Sequence, residues 1–214
     1  MAIRAGISEK NENEKPHREE ILLCNNLAKG EYVVMQLSAF RLNLPAPIGE
    51  INDKKADRIR SLCGTHFSVA TQIAGQNLAL VNPQDGLILL ATPTQFTIGI
   101  DFRQNGAISL EDFDVIINIV KSLFEGLFLE PKSGYGIQML GHVKFDRSAF
   151  DDSRRFLSSQ AEAFSSIEGF MGVGLRLFIK NKNDIWELMV EPLVMNDSYY
   201  HVESICGTNE IQSL

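Results

Sequence analysis

Cysteine and histidine are scarce in this 214-residue chain, which has three of the former and four of the latter. Cys24, Cys63 and Cys206 are widely separated and odd in number, so they do not form a secreted disulfide framework. The histidines are equally scattered, and no close pair of ligands repeats the spacing of a structural zinc site. We therefore predict three reduced thiols that fill the core, with no metal or cofactor. Only a metal site that folding assembles from distant residues stays open.

Long apolar runs are also missing. The most apolar stretch, residues 115–129, is interrupted by Asn118, Lys121 and Glu125 and is too short to span a bilayer. The chain does not open with a charged and then apolar leader that ends in a small-residue cleavage site. These observations predict a cytoplasmic protein that does not associate with membranes.

Positive charge is in short supply, because 27 acidic residues outnumber 20 basic ones and leave a net charge of -7. Nucleic-acid binding draws most of its affinity from phosphates that Lys and Arg neutralise. The acidic total therefore disfavours sequence-independent nucleic-acid binding, and only a local basic groove would permit it. Hydrophobic residues make up 44% of the chain and charged residues 22%, which predicts an ordinary globular protein of one domain or two small fused lobes.

The familiar sequence motifs of catalysis are absent. No serine has the flanking glycines of a nucleophile elbow. Gly169, Gly172 and Gly174 follow a predicted helix and precede a predicted strand, which is the reverse of the strand-to-helix order of a phosphate loop. We therefore nominate no catalytic residue and favour a protein that is not an enzyme.

What the chain does contain is a regular series of amphipathic segments. Apolar residues at helical spacing predict helices at residues 18–28, 53–63, 110–129 and 151–167. Asp53 is placed to cap the second helix and Gly64 to end it, while Ser109 and Asp112 begin the third in a capping box. Alternating or β-branched runs predict strands at residues 32–42, 67–73, 77–81, 87–91, 96–102, 135–145, 171–180, 185–195 and 199–206.

The order strand, helix, meander occurs twice, with the long third helix between the two occurrences. We therefore predict an α+β fold of two antiparallel-sheet lobes, related by internal duplication, with amphipathic helices packed on one face of the sheets. Whether the lobes share one sheet or form two is left open. The expected divisions are a polar N-terminal arm at residues 1–18, a first lobe at 19–107, a connecting helix at 108–130 and a second lobe at 131–208.

Polar side chains alternate along the predicted strand at residues 135–145. Gln138, His142, Lys144 and Asp146 project from one face, because successive strand residues point to opposite sides. A histidine and a carboxylate on one face could transfer a proton, and a lysine between them could hold an anion. The solvated side of a half-covered sheet gives the same alternation, and this is the simpler interpretation.

Arginines on other predicted strands extend this pattern into a candidate ligand site. Arg176 and Glu191 lie on the two strands of a predicted hairpin, where they would come close enough for a cross-strand ion pair. If the sheet is concave, guanidinium and imidazole groups on one face would bind an anionic ligand. The candidate ligand-binding residues are Arg41, Arg103, His142, Arg176 and Glu191.

One segment of the chain resembles a known family. An Asp-Gly turn at residues 85–86 is followed by two predicted strands, the long helix and a strand that begins Gly-Ile-Gln-Met at residues 136–139. In this order residues 82–145 resemble a sporadically distributed, uncharacterised family of prokaryotic proteins whose last strand is of Gly-Leu-Arg-Tyr type. Gln138 replaces the arginine of that element, and a Gly-Leu-Arg sequence occurs instead in a later strand, at residues 174–176. The resemblance implies an α+β fold and no established activity, so it supplies no catalytic residue.

The predicted fold and the missing motifs together favour binding over catalysis. Open antiparallel sheets leave edges that must be covered, and a partner strand can extend them. The leading hypothesis is a non-catalytic protein-protein interaction subunit or adaptor of an intracellular assembly, which docks a partner protein or a second copy through sheet faces, an edge strand and the polar arm. One alternative is a small-molecule binding protein or enzyme that holds an anionic ligand between the long helix and the sheet. The other alternative is a nucleic-acid-associated protein.

Overall fold

Ten strands and three helices make up the described part of a computed structural model, which covers residues 21–26, 31–101, 107–130, 134–156, 167–168 and 170–208. The helices are α1 Asp53–Cys63, α2 Leu110–Gly126 and α3 Ala149–Phe156. The strands are β1 Ile21–Asn26, β2 Glu31–Pro45, β3 Val69–Ile73, β4 Asn77–Asn82, β5 Leu87–Ala91, β6 Gln95–Ile100, β7 Gly136–Lys144, β8 Leu175–Asn181, β9 Asp184–Pro192 and β10 Tyr199–Thr208.

All ten strands belong to one sheet, in which every pair of neighbouring strands is antiparallel. Its order is β3-β4-β5-β6-β2-β7-β10-β9-β8, and β1 pairs with β2 outside this path. The chain is therefore an α+β protein, as the sequence predicts. The arrangement that the sequence left open is a single continuous sheet.

The pairing of β2 with β7 joins the two halves of the sheet. These strands run antiparallel, with Phe40 opposite Met139 and Leu42 opposite Ile137. A bulge between Leu37 and Ala39 shifts the register of β2 along this pair. At fifteen residues, β2 is long enough to pair with β1 over residues 31–35 and with β6 over residues 40–45 along one edge, and with β7 over residues 35–43 along the other.

Most of the buried residues form one cluster on one face of the sheet. Alternate residues of the central strands, such as Phe96 and Ile98 in β6, are buried in the same cluster as Ile59 of α1 and Leu123 of α2. Each such side chain contributes about 1.5–3 kcal/mol when it is removed from water. Burial is lower toward β8, where all seven residues are exposed.

Helix α1 has the predicted bounds but begins with a different cap. The side-chain oxygen of Asn52 accepts a hydrogen bond from the backbone N–H of Lys55 at 3.0 Å, and Asp53 is the first helical residue. The prediction of Asp53 as the cap was therefore wrong by one residue. Asn52 performs the same role because its short side chain reaches the free amides of the first turn. Gly64 ends the helix with a φ of 61°, as predicted.

Helix α2 begins as predicted and ends three residues early. The Asp112 carboxylate accepts hydrogen bonds from the backbone N–H of Ser109 at 2.7 Å and from its hydroxyl at 3.0 Å. The helix stops at Gly126, and Phe128 then adopts a φ of 53°. A side chain at position 126 would collide with Leu62, since a Cβ there would lie 2.2 Å from its Cδ2 atom. Gly126 therefore lets α2 approach α1 closely at this end.

Two of the predicted helices differ from the structure. Residues 21–26, within the helix predicted at 18–28, form strand β1, because pairing with β2 decides the conformation of a short apolar run that fits either period. The helix predicted at 151–167 is seen as α3 and starts at Ala149, where the Asp197 carboxylate accepts the N–H of Phe150 at 3.1 Å. Residues 157–166 and the N-terminal arm lie outside the described residues.

Two isoleucines on α2 provide a matched test of this packing. Ile119 is 2% exposed in the cluster, whereas Ile117 is 46% exposed on the same helix. We expect Ile119→Ala to lower the free energy of unfolding by about 2–5 kcal/mol, because it removes buried apolar surface and leaves a cavity. Ile117→Ala should change it by less than about 1 kcal/mol. Urea denaturation of both variants measures the difference, and equal losses would contradict this placement of α2.

Candidate functional site

A row of polar residues crosses the face of the sheet opposite the buried cluster, here called the open face. His142 on β7 lies directly opposite Gln36 on β2 and opposite His201 on β10. His201 in turn lies opposite Glu191 on β9. Their neighbours along the strands point to the other face, where Met35, Leu37 and Val202 are buried. Gln36, His142, His201 and Glu191 therefore form one line across four strands, here called the polar row.

The two histidines of the polar row are in ring contact. Their ring centroids lie 5.6 Å apart, and the planes are inclined by 52°. Burial of His142 lowers its pKa below the ordinary value, and the positive charge of a protonated His201 lowers it further. The neutral form of His142 is therefore favoured in the folded protein. The sequence singled out His142 but not His201, which is beside it only because of the pairing of β7 with β10.

Arg41 lies on the open face but does not join the polar row. It is opposite Gln138 on β7, several residues along β2 from Gln36. Its guanidinium forms an ion pair with Asp101, whose side chain is largely buried. Gln138 in turn donates a hydrogen bond to the Glu203 carboxylate at 2.7 Å. Arg41 is thus already neutralised by a carboxylate within the protein.

Arg176 also has a partner, but not the one that the sequence predicted. It lies opposite Met189, so Glu187 and Glu191 are both its diagonal neighbours on β9. Its guanidinium forms an ion pair with Glu187 and lies 5.4 Å from the centroid of the Phe178 ring. The predicted hairpin and a cross-strand ion pair are therefore present, but the carboxylate is that of Glu187 and not of Glu191, because either diagonal permits an ion pair and alternation alone does not choose between them.

The predicted ligand residues do not converge on one point. His142 and Glu191 lie in the polar row on either side of His201, whereas Arg41 and Arg176 pair with carboxylates elsewhere on the sheet. Arg103 lies outside the described residues. Among the residues that the structure describes, the predicted set therefore does not form a common cradle for an anion.

A cavity of about 210 Å³ lies between α3 and the strands β8, β9 and β10. Its polar groups already have partners: the Tyr200 hydroxyl lies within hydrogen-bond distance of two acceptors, the carbonyl of Ala149 at 3.0 Å and the carboxylate of Asp152 at 3.3 Å. The buried hydroxyl of Ser153 donates to a backbone carbonyl and accepts the N–H of Val173 at 3.2 Å. Burial and the Asp152 carboxylate raise the pKa of Tyr200 to about 12. These contacts hold α3 against the sheet.

Two cysteines are buried thiols, as the sequence predicts. Cys63 lies in the main cluster at the end of α1, and Cys206 is buried on β10. Burial raises the pKa of the Cys63 thiol to about 12, and burial also raises that of Cys206. A thiol with a raised pKa has little thiolate at neutral pH and is a poor nucleophile. Both residues therefore contribute to packing.

The edge strand β8 carries a large exposed apolar surface that the sequence did not single out. Phe178 is 68% exposed and Ile179 is 51% exposed. Leu175 and Leu177 on the same strand are also exposed. No strand among the described residues pairs with the outer side of β8. These four side chains, Leu175, Leu177, Phe178 and Ile179, are here called the β8 patch.

Comparison with known proteins does not assign a family. No protein-family model matches the chain, and no curated protein matches it. In the described ranges, no group of three or more His, Cys, Asp and Glu residues could hold a metal ion. None of the helices in this part of the chain is long and apolar enough to cross a membrane. The physical evidence bearing on function is therefore the β8 patch and the polar row.

Replacing Arg41 or Arg176 tests which of the two ion pairs stabilises the fold. Arg41→Met should lower the free energy of unfolding by about 1–3 kcal/mol, because it leaves the largely buried Asp101 carboxylate without its guanidinium. Arg176→Met should cost less than about 1 kcal/mol, because that pair is more exposed to solvent. Urea denaturation distinguishes the two. A larger loss from Arg176→Met than from Arg41→Met would refute this assignment.

Proposed function

We propose that this chain is a non-catalytic protein-protein interaction subunit of an intracellular assembly and that it docks a partner protein on strand β8. The observation that carries the proposal is the β8 patch, in which an edge strand exposes four large apolar side chains. An exposed apolar surface of this kind is costly in water and marks a binding surface in many proteins. A partner that covers it would gain both apolar burial and backbone pairing.

The position of the β8 patch favours addition of a strand. The outer backbone N–H and C=O groups of an edge strand are available to pair with an extended segment of another chain. Leu175, Leu177 and Ile179 alternate on the face that carries the core, while Arg176 and Phe178 lie on the open face. The fitting partner is therefore an extended strand, apolar on one side and carrying aromatic or acidic residues on the other. We expect Phe178 to be the residue that anchors this partner strand, because aromatic residues dominate binding energy at interfaces.

The surroundings of the arginines support binding of a protein over binding of a small anion. Arg41 and Arg176 each form an ion pair within the chain, so an anionic ligand would have to displace Asp101 or Glu187. The β8 patch requires no such displacement. It is also the more extensive exposed feature of the described sheet, since the opposite edge strand, β3, exposes only Val69 and Ile73 among its large apolar residues.

We further infer that the chain has two lobes that arose by duplication, at residues 19–107 and 131–208. The element order of the sheet supports this: β2 and β7 are each followed by a helix and a meander, and each pairs with the last strand of its own meander. Under this relation β3 and β8 are equivalent ends. We also propose that residues 82–145 are related to the family with a Gly-Leu-Arg-Tyr-type strand. The corresponding element lies at the start of the central strand β7, where Gln138 replaces the arginine.

Replacing Phe178 by a charged residue tests the proposed interface. Phe178→Asp should reduce recovery of a specific partner at least tenfold, because loss of an aromatic anchor costs about 2 kcal/mol or more. Phe128→Asp is the matched control, since Phe128 is 93% exposed at the end of α2 and lies outside the β8 patch. The measurement is quantitative affinity purification of the three full-length proteins from the native cell, with light scattering after size exclusion to detect self-association.

The expected result is a partner, or a second copy of the chain, whose binding requires Phe178 and tolerates the change at Phe128. Circular dichroism of the purified variants controls for misfolding. A strict monomer for which no recovered protein depends on Phe178 would count decisively against the proposal.

A further inference from the structure

We propose that His142 and His201 form a two-histidine binding site for a divalent transition-metal ion, such as Zn²⁺, Cu²⁺ or Ni²⁺, on the open face of the sheet. This inference is independent of the proposed partner surface on β8. It rests on the one place in the described structure where two imidazoles from distant parts of the sequence are brought into contact. Imidazole is a ligand that suits all three of these ions.

The separation of the two rings matches what a shared metal ion requires. A zinc ion lies roughly 2.0–2.1 Å from each ligating nitrogen and takes tetrahedral angles, which together place two ligating ring centres roughly 5 Å apart. The observed centroids are 5.6 Å apart. Both residues are on adjacent strands in direct register, so the backbone holds their Cα atoms in place. Small side-chain rotations would therefore bring one nitrogen of each ring onto the same ion.

No residue in the described part of the chain occupies the ring nitrogens of the pair. Neither imidazole forms a hydrogen bond to another described residue, and both side chains are only half-buried. A neutral imidazole carries a ring-nitrogen lone pair that can bind a cation. Without a bound cation, contact between two imidazoles contributes little to stability, because protonation of both rings would place like charges together.

The charges around the pair also favour a cation. On β9, Glu191 is directly opposite His201 and carries a negative charge in the same row. On β2, the residue opposite His142 is the uncharged Gln36. Along β7 and β10 the nearest charged residues of the open face are Lys144 and Glu203. The carboxylates of Glu191 and Glu203 therefore outnumber the one ammonium group of Lys144 around the pair. The protein would supply two nitrogen ligands and water the rest, so binding should be weaker than in a closed site with four protein ligands.

Calorimetric titration of tag-free, full-length protein with ZnCl₂ at pH 7.5 tests the site. The wild type should bind one Zn²⁺ saturably, and His142→Gln and His201→Gln should each weaken binding at least tenfold, because one imidazole cannot chelate. His66→Gln is the matched control, since His66 is an exposed histidine away from the polar row and its loss should change affinity less than twofold. Thermal melting without zinc confirms that each variant is folded.

A second measurement needs no variant. In amide NMR spectra of the wild type, Zn²⁺ should shift signals centred on His142 and His201, and the shifts should disappear as pH falls and the imidazoles are protonated. Absence of saturable binding up to millimolar ZnCl₂, or shifts centred elsewhere, would overturn the proposal. Retention of full affinity in either single histidine variant would overturn it as well.

Discussion

The pairing of β2 with β7 is the interaction on which the rest of the structure depends. It joins strands that are separated by roughly a hundred residues of sequence and turns two meanders into one sheet. Such a contact forms only after a loop-closure entropy has been offset, and the buried cluster that the strands share with residues of α1 and α2 contributes to that stabilisation. With this pair in place, β10 and β6 have fixed positions on either side, and β3 and β8 become the two ends.

The polar row and the β8 patch both follow from that arrangement of strands. A continuous sheet with one buried face has an opposite face on which polar residues from neighbouring strands are brought into register, and this is how His142 and His201 meet. It also has ends, and at one end burial is so low that β8 exposes apolar side chains on both faces. Neither feature is a property of a single segment. The contact between the two histidines arises where strands that are distant in sequence lie side by side. The β8 patch arises where the described sheet has no further strand.

Local physical chemistry explains which parts of the fold the sequence could predict. Ser109 and Asp112 interact within one helical turn, and Gly64 ends α1 through its own backbone, so both helix boundaries were readable from neighbouring residues. The pairing and register of strands depend on residues that are distant in sequence, so they could not be predicted from local patterns. That is why Arg176 was matched with Glu191 when it pairs with Glu187, and why residues 21–26 were expected in a helix. His201 gave no signal by itself, because a lone histidine in an alternating strand has no visible partner until the register is known.

Native-state hydrogen exchange tests the central role of the β2–β7 pair most directly. Amides of Phe40, Leu42, Ile137 and Met139 should exchange only through global unfolding, with an opening free energy equal to that obtained from urea denaturation. Amides of the end strands β3 and β8 should exchange through local openings at lower free energy. If β2 and β7 instead open first, or if the two halves of the sheet unfold with separate free energies, the two halves would be independent and this account of the fold would be contradicted.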